Sequence, residues 1–340
     1  MRAVFLFAVT MACAAGRERV LVDTDCGVFG DDGSAIVMLL RSPAQVEIAG
    51  ITTVSGNVWS EQAAANAFHI LELMGRTQVP VYSGVEMPLV HTAGMAAVQS
   101  QRWGKIAFTG AFAEKPGVSG GRRQKSGGVE FLVSEIERHP GEVTVLALGP
   151  MTNLALALRL RPEIETKIKR LVFMGGNVRV KGNVSGAAEF NFWFDPEAAR
   201  IVLRSRIPEK VMFALDICNR APVRRAQFDE IIAVRTPITE LVREDLGNGY
   251  PGFLKNPEAT SFMWDSLAAA YLIDPGFVTK SESMFLDVDT AWGRRYGATV
   301  PLDRRLAPEA TPVRVALDLD LQRVWGLVRG LITRTKETEL

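Results

Sequence analysis

Four carboxylates fall within ten residues near the start of this chain, in the run DTDCGVFGDD at positions 23–32. Carboxylates crowded this closely repel one another, so they are tolerated mainly where a hard divalent cation or strong hydrogen-bond donors neutralise them. An acidic cap on the following helix would explain one or two of these residues, such as Asp31 and Asp32, but not all four. The run therefore predicts a metal site.

The acidic run lies where a strand meets a helix. The apolar stretch 20–22 directly before it is typical of a buried strand, and 34–40 has the apolar character of a helix. Gly27 and Gly30 permit a tight turn between the two elements. Open α/β sheets bind ligands at the carboxyl ends of their strands, so the acidic run occupies the position of an active site.

Further polar residues follow the other predicted strands, as expected when one pocket collects its groups from several connections. Singly, Asn57 and Asn153 could be turn or cap residues, and Asp265 could cap a helix. Glu189 and Asn191 could lie in a solvated loop, but their alternation with aromatic residues favours groups that point into a pocket. As a set, these residues predict a hydroxyl-binding pocket around a cation: Asn57, Asn153, Asn177, Asn183, Glu189, Asn191, Trp264 and Asp265.

Strand-like and helix-like segments alternate along the chain, which favours a largely parallel sheet with helices on its faces. Right-handed crossovers make a doubly wound core the economical topology. We predict a single α/β domain over 17–340, whose tail after about residue 274 is an accessory strand and helix region. The predicted strands are 20–23, 46–53, 143–148, 170–174 and 210–215, and the predicted helices are 61–74, 129–138, 152–160 and 196–203.

The segment 87–128 interrupts this alternation, because it is rich in Gly and Ala and has no clear strand pattern. A structureless stretch of this length inside a domain is usually a lid or a binding loop. We therefore predict a lid-like insertion over the site. The segment contains His91, which could act as an acid in catalysis, although an ordinary loop histidine is favoured because no carboxylate accompanies it in sequence.

Composition and charge limit the classes of function. The 340 residues are 47% hydrophobic and carry a net charge of +1, which predicts a globular protein with a small-molecule partner and gives no electrostatic case for nucleic acid. After the N-terminal signal discussed next, two cysteines remain, Cys26 and Cys218, and they do not form a disulfide framework.

Residues 1–16 combine one Arg, an apolar run and a stretch of small residues. This order is typical of a short secretory signal peptide and is too short to be a membrane span. A lipid anchor at Cys13 and an extra buried strand are the alternatives. We expect an exported protein, periplasmic or secreted, if the signal is genuine, and a cytoplasmic protein otherwise.

The ordered motifs resemble those of the inosine-uridine type of nucleoside hydrolase, from about residue 18 to the C-terminal region. They are DTD and DD within 23–32, TTVSGNV at 52–58, LGPMTNL at 148–154, FMGG at 173–176, EFN and DP within 189–196, and WD at 264–265. The resemblance implies that fold, a bound Ca²⁺, and hydrolysis of the N-glycosidic bond of ribonucleosides in purine salvage and nucleoside catabolism. It also implies a homodimer or homotetramer.

The resemblance assigns roles to individual residues. Asp25 is similar to the metal ligand that also acts as general base, and Asp32 and Asp265 are similar to metal ligands. The main-chain carbonyl of Leu148 corresponds to a further ligand. The remaining residues resemble the groups that hold the ribose, with Met174 packed against the sugar: Asp31, Asn57, Met174, Asn183, Glu189 and Asn191.

The residue before the last acidic ligand distinguishes branches of the family. Non-specific members commonly carry His there, whereas Trp264 resembles the purine-specific branch, and an indole can stack on a purine and favour its protonated form. We therefore expect purine nucleosides as substrates, with Trp264 either catalytic or only a packed aromatic. Possible stacking partners are Trp103, Phe190 and Trp193.

This chain departs from the common pattern in its acidic loop. Cys26 stands where the family usually has Pro, and the loop through Val28, Phe29 and Gly30 is longer than the common form. The spacing between Asp25 and Asp31 can therefore differ from that of the family.

Three alternatives to a purine-specific hydrolase stay open. One is a non-specific nucleoside hydrolase. Another is a Mg²⁺-dependent aspartyl phosphatase, because Asp23 and Asp25 also follow a strand in such enzymes, although Gly27 and the lack of a later Lys and acidic pair disfavour it. The last is a nucleoside-binding protein without turnover, which the presence of Asp25 disfavours.

Overall fold

The central sheet has nine strands. The computed structural model describes residues 16–113, 125–249, 255, 256 and 258–335. The strands of the sheet are β1 (Glu18–Thr24), β2 (Val46–Thr53), β3 (Val81–Ser83), β4 (Lys125–Ser126), β5 (Val143–Ala147), β6 (Arg170–Met174), β7 (Lys210–Phe213), β10 (Val278–Met284) and β13 (Val313–Leu319). Their order is β10-β13-β7-β6-β5-β1-β2-β3-β4, and every neighbouring pair is parallel except β10 with β13.

Two small antiparallel pairs lie outside the sheet, β8 (Pro222–Arg224) with β9 (Thr260–Phe262) and β11 (Leu286–Val288) with β12 (Thr299–Pro301). The helices are α1 (Gly30–Leu40), α2 (Ser60–Leu73), α3 (Ala93–Trp103), α4 (Gly128–Arg138), α5 (Thr152–Leu160), α6 (Phe190–Phe194), α7 (Pro196–Leu203), α8 (Leu215–Cys218), α9 (Arg225–Ala233), α10 (Pro237–Gly249), α11 (Asp265–Ile273) and α12 (Leu321–Ile332).

Both faces of the sheet are buried, as expected for parallel strands between helical layers. Successive residues alternate between the two layers, so Val20 and Val22 pack with α1, α2, α11 and α12, whereas Leu21 packs with α4, α5 and α7. The predicted single-domain, doubly wound, mostly parallel α/β fold is confirmed.

The segment 87–128 is more regular than predicted. The described part contains α3 and a 3-10 helix, Gly110–Ala113, so the expectation of a structureless stretch is wrong. Thr92 caps α3 by accepting a hydrogen bond from the amide of Met95 at 3.2 Å, and Ala96 and Gln99 are buried beneath it. A role as a lid stays a prediction.

The C-terminal tail also differs from the expectation of an accessory region. β13 lies between β7 and β10, so it is an integral strand of the central sheet. The predicted strand 210–215 ends at Phe213, because Leu215 begins α8. Cys26 and Cys218 are buried and free.

The predicted signal peptide lies almost wholly outside the described residues. Within the described part of the chain, no helix is long and apolar enough to cross a membrane.

Candidate active site

The acidic loop connects β1 to α1 at the carboxyl edge of the sheet. Gly30 has a φ of +55°, a left-handed conformation that suits glycine, and it begins α1. Phe29 is buried in the core and anchors the loop. This geometry directs Asp31 and Asp32 into the first turn of α1, beside Asp25 at the end of β1.

Asp265, at the start of α11, joins the acidic loop from a distance of more than 200 residues in sequence. One ligand atom from each of Asp31, Asp32 and Asp265 lies within 4.8 Å of the others. Asp25 lies close enough to Asp32 for their charges to repel each other, and Asp265 is repelled in the same way by Asp31, Asp32 and Asp25. The structure therefore brings two of the predicted acidic ligands, Asp32 and Asp265, together with Asp31, whereas Asp25 adjoins this group through Asp32.

Hydrogen bonds from the ends of neighbouring strands fix the carboxylates. The amide of Asn57 donates to Asp25 Oδ2 at 2.7 Å, and Asn57 Nδ2 donates to Asp32 Oδ2 at 3.2 Å. The hydroxyl of Thr24 donates to the other oxygen of Asp32. Asn57 thus holds two of the predicted metal ligands.

Two glycines allow the backbone to enclose Asp25. A Cβ on Gly56 would lie 2.0 Å from Asp25 Oδ2, and a Cβ on Gly149 would lie 2.9 Å from the carboxyl carbon and from Oδ1. Neither position has room for a side chain. The glycines of the TTVSGNV and LGPMTNL motifs are therefore needed for close approach to Asp25.

The electrostatics of the cluster favour protonation when nothing neutralises it. Burial, followed by repulsion from Asp31, raises the pKa of Asp32 to about 7. Burial and neighbouring carboxylates raise the pKa values of Asp25 and Asp265 well above the usual 3.8. Buried, oxygen-only donors whose charges repel one another fit a hard divalent cation, which would remove the repulsion.

Leu148 lies across from the acidic cluster, directly after β5. Its carbonyl accepts a hydrogen bond from Asn191 Nδ2 at 2.8 Å, and the same Nδ2 lies 3.2 Å from the carbonyl of Met174. Asn191 therefore joins the ends of β5 and β6, and its place in the ribose pocket stays a prediction.

The side chains of Glu189 and Asn183 accept hydrogen bonds from backbone amides, a structural role that the sequence did not indicate. Glu189 is buried and caps α6, accepting from the amides of Gly176 at 2.7 Å and Asn191 at 2.9 Å. Burial raises the pKa of Glu189 to about 7. Asn183 Oδ1 accepts from the amide of Phe190 at 3.0 Å. Both side chains thus fix the backbone that carries Asn191.

A network behind Asp25 was missed as a functional element. Asp23 Oδ1 accepts from Thr52 Oγ1 at 2.6 Å and from Asn153 Nδ2 at 2.7 Å. Asn153 Oδ1 in turn accepts from the amide of Val85 at 2.9 Å. The sequence left Asn153 either as a turn or cap residue or as part of the predicted pocket, and the parallel register of β1, β2 and β5 brings it to Asp23.

Trp264 lies beside the acidic cluster, at the wall of a cavity of about 140 Å³. Its ring contacts Phe262, with 5.8 Å between centroids. Its Nε1 is buried and donates to no acceptor among the described residues. The cavity has an apolar lining with Asp31 and Asp245 among its polar residues, and α10 contributes Val242 and Leu246. Of the acidic residues in the cluster, Asp31 lines this cavity and Asp25, Asp32 and Asp265 do not, so the cavity adjoins the acidic cluster rather than enclosing it.

The three other aromatic residues proposed as stacking partners lie elsewhere. Trp193 is fully buried with its Nε1 bonded to Gln99 at 2.7 Å, and Phe190 belongs to the same aromatic cluster. Trp103 contacts Trp292 instead, at 5.8 Å. Ring contacts among the described residues do not place any of the three against Trp264.

His91 is enclosed by this aromatic cluster. Its Nδ1 lies 3.0 Å from the carbonyl of Trp193, and its ring meets the edges of Phe112 and Tyr296. Burial lowers its pKa to about 4, so the ring is neutral near pH 7. This placement agrees with an ordinary buried histidine rather than a catalytic acid.

Comparison with known proteins extends these observations. A model of the inosine-uridine preferring nucleoside hydrolase family matches residues 20–326. A relative described as probable uridine nucleosidase 2, from Arabidopsis thaliana, is 40% identical over 186 residues, which are 55% of this chain and 56% of that protein. The matched part thus spans little more than half of that relative.

Two further proteins are similar over nearly the whole chain. The pyrimidine-specific ribonucleoside hydrolase RihB of Escherichia coli is 28% identical over 317 residues, covering 93% of this chain and 97% of that protein. The solved structure of a purine-preferring ribonucleoside hydrolase from Gardnerella vaginalis is 26% identical with a TM-score of 0.73, covering 93% of this chain and 99% of the other.

Proposed function

Since this chain belongs to the inosine-uridine preferring nucleoside hydrolase family and is an N-ribohydrolase, we propose that it hydrolyses purine ribonucleosides to free base and ribose with a bound Ca²⁺. The observation that carries the proposal is the convergence of Asp31, Asp32 and Asp265, with Asp25 next to Asp32 and Trp264 next to Asp265, at the carboxyl edge of the sheet.

The charge of the site suits cleavage of a ribosyl bond. Breaking the bond between the sugar carbon and the base nitrogen builds positive charge on the sugar ring. A pocket rich in carboxylates, and tight contacts to the ribose hydroxyls, stabilise that charge more in the transition state than in the substrate. Asp31, Asn57 and Asn191 are the side chains that we assign to the hydroxyls, with Met174 against the sugar.

Asp25, Asp32, Asp265 and the carbonyl of Leu148 would hold the cation, with Asp31 adjacent. When bound, Ca²⁺ would supply a hard positive centre that takes oxygen ligands and eases the deprotonation of water. Asp25 accepts the proton of the attacking water as general base. The Asn57 amide, 2.7 Å from Oδ2, keeps that carboxylate oriented for the transfer.

Trp264 is the residue that we assign to the leaving base. Its position at an apolar cavity beside Asp31 supports stacking on a purine ring, which favours the electron uptake that the departing base requires. Pyrimidine nucleosides are the second candidate substrates, because the relatives from Arabidopsis thaliana and Escherichia coli are described as acting on uridine and pyrimidine nucleosides.

Release of base from inosine, guanosine, adenosine, uridine and cytidine tests this assignment. We expect faster hydrolysis of the purine nucleosides, and a fall in kcat/KM of about ten-fold for them in Trp264→Ala, because stacking is lost. The matched control is Trp292→Ala, since Trp292 lies against His91 and Tyr296, away from the cavity.

Equal turnover of uridine and the purine nucleosides by the wild type would identify a non-specific hydrolase, and faster turnover of uridine would replace the purine assignment with the pyrimidine one. The absence of any base release, with Ca²⁺ present, would contradict hydrolysis. Phosphate release from a phosphate ester with Mg²⁺, or nucleoside binding without turnover, would then identify the phosphatase or the binding protein.

The cation should stabilise the fold more at high pH than at low pH. The folded-state pKa of Asp32, about 7, lies above its usual 3.8. In the presence of a chelator, the ionisation of Asp32 therefore lowers the stability of the folded state as the pH rises from about 3.8 to about 7. Below about pH 7, Ca²⁺ must displace protons and therefore binds more weakly. The rise in Tm on adding Ca²⁺ should therefore be larger at about pH 8 than at about pH 5.5.

The difference in Tm with and without Ca²⁺ at each pH is the measurement, because titration of groups remote from the cation, such as His91, cancels in it. A rise that is the same at both pH values would contradict cation binding by these carboxylates.

A further inference from the structure

The amino end of α1 is capped by a residue of another helix. Phe29, the residue before α1, makes no side-chain capping bond. Instead, Asp245 Oδ2, on α10, accepts from the amide of Gly30 at 3.1 Å. The first amides of a helix need such acceptors, and a carboxylate is a favourable one. Residues 215 positions apart in sequence are thereby joined.

The capped turn carries two of the acidic residues of the candidate metal site. Asp31 and Asp32 follow Gly30 directly and belong to the first turn of α1. In the loop before them, Val28 is exposed, whereas Phe29 next to it is buried in the core. A fixed position for the Gly30 amide therefore limits where both carboxylates can lie.

The same helix that provides Asp245 also forms a wall of the cavity beside Trp264. Val242 and Leu246 of α10 line that cavity, and Phe29 and Asp31 line it from the side of the acidic loop. The Asp245 carboxylate thus connects α10, which forms the cavity wall next to Trp264, to the turn of α1 that carries Asp31 and Asp32.

We propose that Asp245 is a positioning residue for the reaction, which locks α10 onto the amino end of α1 so that the base-side cavity and the cation ligands hold one common geometry. The proposal rests on the proposed function for its effect on turnover. Its effect on cation binding does not depend on which substrate is cleaved, or on whether any is.

The test compares Asp245→Ala with Asp245→Asn in the full chain. In Asp245→Ala, the Kd for Ca²⁺, measured by calorimetric titration of chelator-treated protein, should rise about ten-fold, and kcat/KM should fall by a similar factor, the size expected from loss of one cap. Asp245→Asn keeps an oxygen that can accept from Gly30, and Asn caps helices about as well as Asp, so both constants should stay within about two-fold of wild type.

Glu244 provides the matched controls. It is the preceding residue of α10, and its side chain is exposed, so Glu244→Ala and Glu244→Gln should bind Ca²⁺ and turn over as the wild type does. A lower Tm of Asp245→Ala with unchanged Ca²⁺ affinity and unchanged kcat/KM would reduce Asp245 to a structural residue and overturn the proposal.

Two other outcomes distinguish the capping role of Asp245 from a role of its charge and from failure of the proposed function. If Asp245→Asn is as defective as Asp245→Ala, the charge or a proton of Asp245 matters rather than its capping bond, and the proposal is wrong. If the wild type releases no base from any nucleoside, the proposed function is wrong. The Ca²⁺ affinities of the same variants then still test whether Asp245 positions the cation ligands.

Discussion

Replacing Asp25 with Asn is expected to lower kcat about 1000-fold, within the range that loss of a general base produces. The amide keeps an oxygen that can accept from the amide of Asn57, so the loop geometry is preserved. It cannot take a proton from water. Steady-state kinetics with the best nucleoside, at a Ca²⁺ concentration that saturates the variant, measure the change.

Saturation with Ca²⁺ separates loss of the base from loss of the cation, since Asp25 is also a predicted ligand. Asp229→Asn is a suitable control because Asp229 lies on α9 in a partly exposed ion pair with Arg225, 2.9 Å away. Asp25→Ala or Asp25→Asn with full turnover would refute the assigned mechanism.

The location of the site could be predicted from sequence because of a property of parallel sheets. The strands β1, β2, β5 and β6 end at one edge, so polar residues that directly follow each of them must meet there. A correct strand assignment was enough to place Asp25 and Asn57 together, whereas Leu148 was included because of the resemblance to the family. Apolar segments of five to eight residues made that assignment possible.

Contacts between distant segments could not be predicted in the same way. The hydrogen bond between the Gly30 amide and Asp245 depends on how α10 packs against α1, and the local sequence around neither residue predicts it. Similarly, Trp193 was a plausible stacking residue until the structure paired its Nε1 with Gln99 on α3. A helix in the Ala-rich segment was overlooked for a related reason, because its few buried residues give little periodic signal.

Asp265 gives the second large effect that we expect, and its sign depends on the cation. Burial and repulsion from Asp31, Asp32 and Asp25 raise its pKa well above the usual value. In chelator at about pH 8, Asp265→Asn removes one repelling charge and should raise Tm above that of the wild type. With Ca²⁺ the order should reverse, because the variant lacks a charged ligand and gains less stability from the ion.

Affinity and turnover should follow the same reversal. Loss of a residue that only hydrogen-bonds to a metal ligand weakens metal binding by up to about 100-fold. Removing the ligand itself should therefore weaken Ca²⁺ binding by at least that factor, and turnover at a subsaturating Ca²⁺ concentration should fall in proportion. Tm with and without Ca²⁺ therefore discriminates between two accounts of Asp265. If Asp265 only caps α11, its replacement should lower Tm by a similar amount with and without Ca²⁺. If Asp265 is a ligand held against three other carboxylates, its replacement should raise Tm without Ca²⁺ and lower it with Ca²⁺. Only the second pattern is compatible with the cation site that we assign.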